Sequence, residues 1–191
     1  MRAEKPLEAF LASTLAVAIA EIGDKTQLLA LFLATRFASR MGIVNGIIVA
    51  TLVNHGLSAW LGAWLAELLP PGWLPWIVGG SFIAIALWLL LPDGDETRDD
   101  AVLARGAFVA TTVLFFLAEL GDKTQVATVV LAARYEATVA VVIGTTLGML
   151  IANVPVVMAG HWIMERVPMA WTRRIAFVLF VAFGIVAVLT L

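Results

Sequence analysis

The sequence contains no cysteine. That excludes disulfides, thiolate metal sites and thiol redox chemistry. Charge is scarce as well: 14% of the 191 residues are charged, while 62% are hydrophobic. Soluble domains carry about 25% charged and about 45–50% apolar residues. The apolar excess is too large for a water-soluble core of this size, so a bilayer is the expected solvent. A net charge of −2 does not suggest nucleic acid. Only one stretch, Pro92 to Asp100, is polar throughout.

What is present is a series of long apolar runs. A membrane-crossing helix needs about 20 mainly apolar residues. Six segments qualify: 7–35, 42–68, 73–92, 105–133, 138–164 and 171–191. The breaks carry turn chemistry, notably Arg36 to Arg40, Pro70-Pro71-Gly72 and the acidic 93–100 stretch. Arg2 and Lys5 before an apolar run have the look of a signal peptide, but the run continues to Leu33 and recurs mid-chain. It reads as a mature transmembrane helix.

Positive residues set the expected orientation. Seven arginines (Arg36, Arg40, Arg98, Arg105, Arg166, Arg173 and Arg174) fall on one side, against Arg2, Lys5 and Arg134 on the other. The first side is expected in the cytoplasm of a cell inner membrane, with both termini outside. Trp60, Trp64, Trp73, Trp76, Trp162 and Trp171 sit near span ends, as an interfacial belt would.

Shifted by 98 residues, the chain matches itself without gaps. Glu21-Ile-Gly-Asp-Lys-Thr-Gln27 falls on Glu119-Leu-Gly-Asp-Lys-Thr-Gln125, Arg36 on Arg134 and Gly46 on Gly144. The expected fold is therefore all-α integral membrane, with six transmembrane helices as two three-helix repeats: 1–92, then an acidic linker 93–104, then 105–191. An odd number of crossings per half inverts the second repeat, a plan found in secondary transporters with midplane sites.

The repeated motif is charged where lipid is expected. A charged side chain at the centre of a span costs about 2.5–3.5 kcal/mol on insertion scales, so such groups usually mark ion routes. Helical spacing puts Glu21 with Asp24, and Glu119 with Asp122, on common faces. Gly23 and Gly121 lower helix preference and permit a local break. Thr26, Gln27, Thr124 and Gln125 add oxygens. The donors are all hard oxygen, which suits Mg, Ca and Mn. Each motif sums to −1, so one divalent cation or two protons neutralise the pair. Exchange of metal for protons follows as the expected activity. In the competing reading, Glu21 pairs with Lys25, and Glu119 with Lys123, as plain helical ion pairs. That reading leaves Asp24 and Asp122 unmatched, and the lysines can both hold the acids and tune them.

Outside the motif, Asn54, His55 and Asn153 are polar at matching places in the second and fifth spans, as pathway residues or as interhelical hydrogen-bonding groups. His161 reads as interfacial. Gly42, Gly46, Gly144, Gly148 and Gly160 read as close-packing positions. The 93–100 stretch holds five acids and reads as a solvated linker rather than a cation trap.

The doubled Glu-x-Gly-Asp-Lys-Thr motif resembles the divalent cation/proton antiporter family once catalogued as uncharacterised protein family sixteen. It includes MneA-type bacterial manganese exporters and Golgi calcium/manganese–proton exchangers. The resemblance covers essentially the whole chain. It implies export of Mn2+ or Ca2+ from the cytosol against protons, with Glu21, Asp24, Glu119 and Asp122 as the motif acids. No catalytic residue and no resident cofactor is expected. The rival readings are an exporter of another small cation, an intramembrane aspartyl hydrolase using Asp24 and Asp122, and a structural subunit of a larger complex.

Overall fold

A computed structural model of the chain describes residues 4–70, 72–89, 100–159 and 169–190. They form α1 (Glu4–Glu21), α2 (Lys25–Arg36), α3 (Arg40–Leu68), α4 (Leu74–Leu89), α5 (Asp100–Leu103), α6 (Ala107–Glu119), α7 (Lys123–Tyr135), α8 (Thr138–Ala159) and α9 (Met169–Thr190). No strand occurs among the described residues. The acidic stretch 93–99, Gly160, His161, Trp162 and Arg166 lie outside them.

The first and fourth expected spans are each broken at the charged motif. Gly23 at φ 84° and Gly121 at φ 73° take a left-handed conformation that side chains resist. α1 stops at Glu21 and α2 restarts at Lys25, with a bend of 71° between Pro6–Glu21 and Lys25–Arg36. α6 stops at Glu119 and α7 restarts at Lys123. Glu21 and Asp24 therefore do not share a helical face. Glu21 ends one helix and Asp24 caps the next.

Among the described residues, two unbroken helices are long and apolar enough to cross a membrane: Arg40–Leu68 and Thr138–Ala159. The bent pair makes a third if counted as one span. Leu74–Trp88, Ala107–Glu119 and Phe177–Leu189 are apolar but shorter. Length and composition thus support up to three crossings, where the sequence pattern predicts six. The charged breaks shorten the first and fourth runs, and the ends of the third and sixth adjoin residues outside the described set.

The distribution of side chains inverts that of a soluble protein. Leu7, Leu57, Trp60, Trp73, Trp76 and Val139 are exposed, each by more than half. Glu21, Thr26, Asn54, His55, Glu119 and Asn153 are buried. A soluble monomer rarely exposes that much contiguous apolar surface. Apolar outside and polar inside is the arrangement of a protein dissolved in lipid.

The two sequence halves pack through one another. α1 lies along α8, α3 lies along α6 and α7, and α4 lies along α9. The first two crossings use matching glycines. A Cβ on Gly46 would come within 2.9 Å of the Phe108 carbonyl oxygen and 2.6 Å of Thr111 Cβ. One on Gly144 would come within 2.6 Å of the Phe10 oxygen and 3.0 Å of Ser13 Cβ. Positions 10 and 13 map onto 108 and 111 under the repeat, so both crossings have the same construction. α4 and α9 meet through Phe82, whose ring centroid lies 5.8 Å from Phe180 and 5.7 Å from Phe183.

Enlarging either crossing glycine should separate its helices. Gly144→Leu is expected to cost at least about 1–3 kcal/mol, the range for overpacking. It should appear as a lower melting temperature in detergent. Gly56→Ala, whose Cβ would meet nothing within 4 Å, should not lower the melting temperature and should raise it slightly, since alanine favours the helix.

Candidate functional site

The site grows from the two helix breaks. Each break turns its peptide groups away from helical partners, and the motif side chains take their place. The Gly23 amide donates to Gln27 Oε1 at 2.7 Å, and the Gly121 amide donates to Gln125 Oε1 at 2.7 Å. Each glutamine thus closes the break in its own motif. Gln27 also donates through Nε2 to the Ala152 oxygen of α8 at 2.8 Å. Gln27 is buried and Gln125 half-buried.

The threonines hold the glutamates. Thr26 donates its hydroxyl to Glu21 Oε2 at 2.5 Å, and Thr124 donates to Glu119 Oε2 at 3.0 Å. Asp122 caps α7 by accepting the Thr124 amide at 3.1 Å. The Thr124 hydroxyl also lies 3.2 Å from Asp122 Oδ2. Asp24 caps α2 by backbone position without a side-chain bond to the helix end. Its carboxyl is turned toward the other motif.

The acids converge. One oxygen each from Glu21, Asp24 and Asp122 lie within 4.8 Å of one another, and all three residues are buried. Glu119 is not one of these three, but it is fully buried and joined to Asp122 through Thr124. Glu21 Oε1 and Glu119 Oε1 have no hydrogen-bond partner among the described residues. Hard oxygens brought together out of water are what a divalent cation needs.

The lysines cross between motifs. Lys25 Nζ stands 3.9 Å from Asp122 Oδ1, and Lys123 Nζ stands 3.7 Å from Asp24 Oδ1. The Lys25 ammonium also donates to the Ala118 oxygen in the last turn of α6. The four-residue pairing of each lysine with its own glutamate needs a continuous helix. The break between 21 and 25, and between 119 and 123, removes that geometry.

A polar stripe flanks this centre. Thr51, Asn54, His55 and Ser58 recur at helical spacing on α3, and all four are buried. Asn54 donates through Nδ2 to the Phe116 oxygen of α6 at 3.0 Å, one turn before Glu119. Neither ring nitrogen of His55 has a hydrogen-bond partner among the described residues. Asn153 is buried on α8 and donates to the Met149 oxygen at 3.1 Å. Sequence reasoning picked Asn54 and His55 but passed over Thr51 and Ser58. The signal was available as an i, i+3, i+4, i+7 run of polar residues inside an apolar helix. The crossed lysine pairs had no such signal, since they depend on how the halves dock.

Broken helices that meet at a buried, charged centre inside an apolar bundle define a membrane protein of the ion-transport class. The chain belongs to the family described as Divalent cation/proton antiporter GDT1, whose model matches residues 9–97 and 107–190. It is 47% identical over 165 residues to the "Putative manganese exporter" of Vibrio cholerae, covering 86% of this chain and 82% of that protein. It is 29% identical over 205 residues to a GDT1-like protein of Synechocystis, covering 95% and 97%. It is 24% identical over 204 residues to GDT1-like protein 3 of Oryza sativa, covering 93% and 72%. No solved structure matches it.

Thr124→Val should leave two buried carboxylates short of a donor. The expected cost is about 1–3 kcal/mol, the penalty for an unsatisfied buried polar group. Thermal melting in detergent should fall by several degrees. Thr35→Val removes only an exposed bond to the Phe32 oxygen and should change little.

Proposed function

We propose that this protein exports divalent metal cations from the cytoplasm in exchange for protons, with Mn2+ the principal cargo and Ca2+ also accepted. One observation carries this reading: Glu21, Asp24 and Asp122, drawn from both sequence repeats, bring carboxylate oxygens within 4.8 Å of one another out of water. Glu119 completes the acidic set. The donors are oxygen only, which favours Mn and Ca over softer metals. Family membership supports exchange against protons, and the manganese exporter named among the relatives supports the choice of cargo.

The two motifs sum to −2, so the same carboxylates are neutralised by one divalent cation or by two protons. Alternate occupancy by metal and protons is the simplest exchange such a site supports. In this reading the chain crosses the bilayer six times as two inverted three-helix repeats, with the site near the midplane. The arginine-rich side and the 93–104 linker lie in the cytoplasm, and both termini lie outside the inner membrane. The α3 stripe of Thr51, Asn54, His55 and Ser58, with Asn153 of α8, lines the approach. Lys25, Thr26, Gln27, Lys123, Thr124, Gln125, Gly23 and Gly121 hold the acids in place. A hydrolase reading is disfavoured because Asp24 and Asp122 each stand beside a lysine, whereas a proton-sharing aspartyl pair needs none.

The test is metal uptake into proteoliposomes under an imposed pH gradient, comparing Mn2+, Ca2+ and Mg2+. Wild type should move Mn2+ best, with protons moving the opposite way. Glu21→Gln and Asp122→Asn should each lose most of the flux. Undiminished flux in either variant would remove that residue from the site, and flux indifferent to the pH gradient would end the exchange reading.

A further inference from the structure

We propose that Lys25 and Lys123 are tethered counter-cations that clamp the two helix breaks together while the site holds neither metal nor protons, and that the incoming divalent cation, or protonation of the carboxylates, releases the clamp. This rests on the metal-site reading above and adds a role that the acids alone do not supply.

The pairs run between halves rather than within them. Lys25, at the start of α2, reaches Asp122 at the start of α7; Lys123, at the start of α7, reaches Asp24 at the start of α2. A movement of the α2 break against the α7 break must stretch both pairs together. The Lys25 ammonium is also bonded to the Ala118 oxygen, which fastens α2 to the end of α6. The Lys123 side chain is 4% exposed, so its charge is compensated inside the protein rather than by water.

Asp24 and Asp122 hold the lysines and also belong to the trio that would hold the metal. Like charges a few ångströms apart repel strongly where the dielectric is low. Metal and ammonium groups therefore compete for the same two carboxylates. A site holding neither metal nor protons keeps both ammonium groups in place and the breaks clamped. That forbids turnover of an empty carrier, which would otherwise dissipate the gradient without exchange.

The full chain can be tested with spin labels because it has no cysteine of its own. Leu28 and Val126 are exposed by 47% and 36%, and each lies three residues beyond a lysine on α2 or α7. Labels at Leu28→Cys and Val126→Cys in nanodiscs report the separation of α2 and α7 by electron–electron resonance. Without metal, the otherwise wild-type chain should give one narrow distance distribution. Lys25→Met with Lys123→Met should broaden or shift it. The same pair of substitutions should tighten Mn2+ binding, read by calorimetry, by roughly tenfold, because the competing charges are gone. Lys25→Arg with Lys123→Arg should restore both the narrow distribution and the weaker binding. An unchanged distribution in the methionine variant, with Mn2+ binding intact in wild type, overturns the clamp and spares the metal site. Weaker Mn2+ binding in the methionine variant also overturns the clamp, since it marks the lysines as props for the acids. Absence of Mn2+ binding in wild type removes the metal reading and this proposal with it.

Discussion

Ionisable groups are costly to hold away from water, and this bundle gathers six at the level where its two broken helices meet. Glu21, Asp24, Glu119, Asp122 and Lys123 are buried, and Lys25 is partly exposed. Much of the local geometry answers that cost. The breaks place two helix N-termini, with their partial positive charge, beside Asp24 and Asp122. The threonines donate to the glutamates, and the lysines supply full opposite charge across the centre. An arrangement two charges short of balance has room for one further divalent cation, which is what a binding site requires.

The same constraint explains why the helices break at all. A continuous helix at positions 21–25 would spend its amides and carbonyls on itself and leave the carboxylates with side chains alone. Gly23 and Gly121 release the backbone at the one level where its dipoles are useful. The matching glutamines then close the opened amides, so each break is a defined structure rather than a frayed end. The glycine crossings at Gly46 and Gly144 do complementary work, because they let α3 and α8 approach closely enough to flank the breaks.

Much of this was legible in the sequence. The apolar excess pointed to an all-helical chain in lipid, and the 98-residue shift exposed the doubled motif. Gly23 and Gly121 marked the breaks because glycine inside an apolar helix is locally unfavourable. Other features were not legible, for physical reasons. Helical spacing placed Glu21 and Asp24 on one face, whereas a positive φ at Gly23 reorients the chain between them. Spacing also offered Glu21 to Lys25, while the crossed pairs arise from tertiary docking that no local pattern encodes. Crossing counts from hydropathy run ahead of helix lengths, since hydropathy does not register where a charged motif cuts a run in two.

The interleaving of the halves bears on how the protein is made. α1 rests on α8 and α3 on α6, so the surfaces that cover Glu21 and Asp24 are synthesised last. Synthesis runs from the N-terminus at about 5–20 residues per second, so the early half waits several seconds for its cover. During that interval its acids have no opposing lysine, and its glycine-lined groove has no neighbour. The nascent half therefore carries its acids and its groove uncovered until the second half arrives. A single charge added to α8 or α6 would therefore act on the exposed early half as well as on the finished fold.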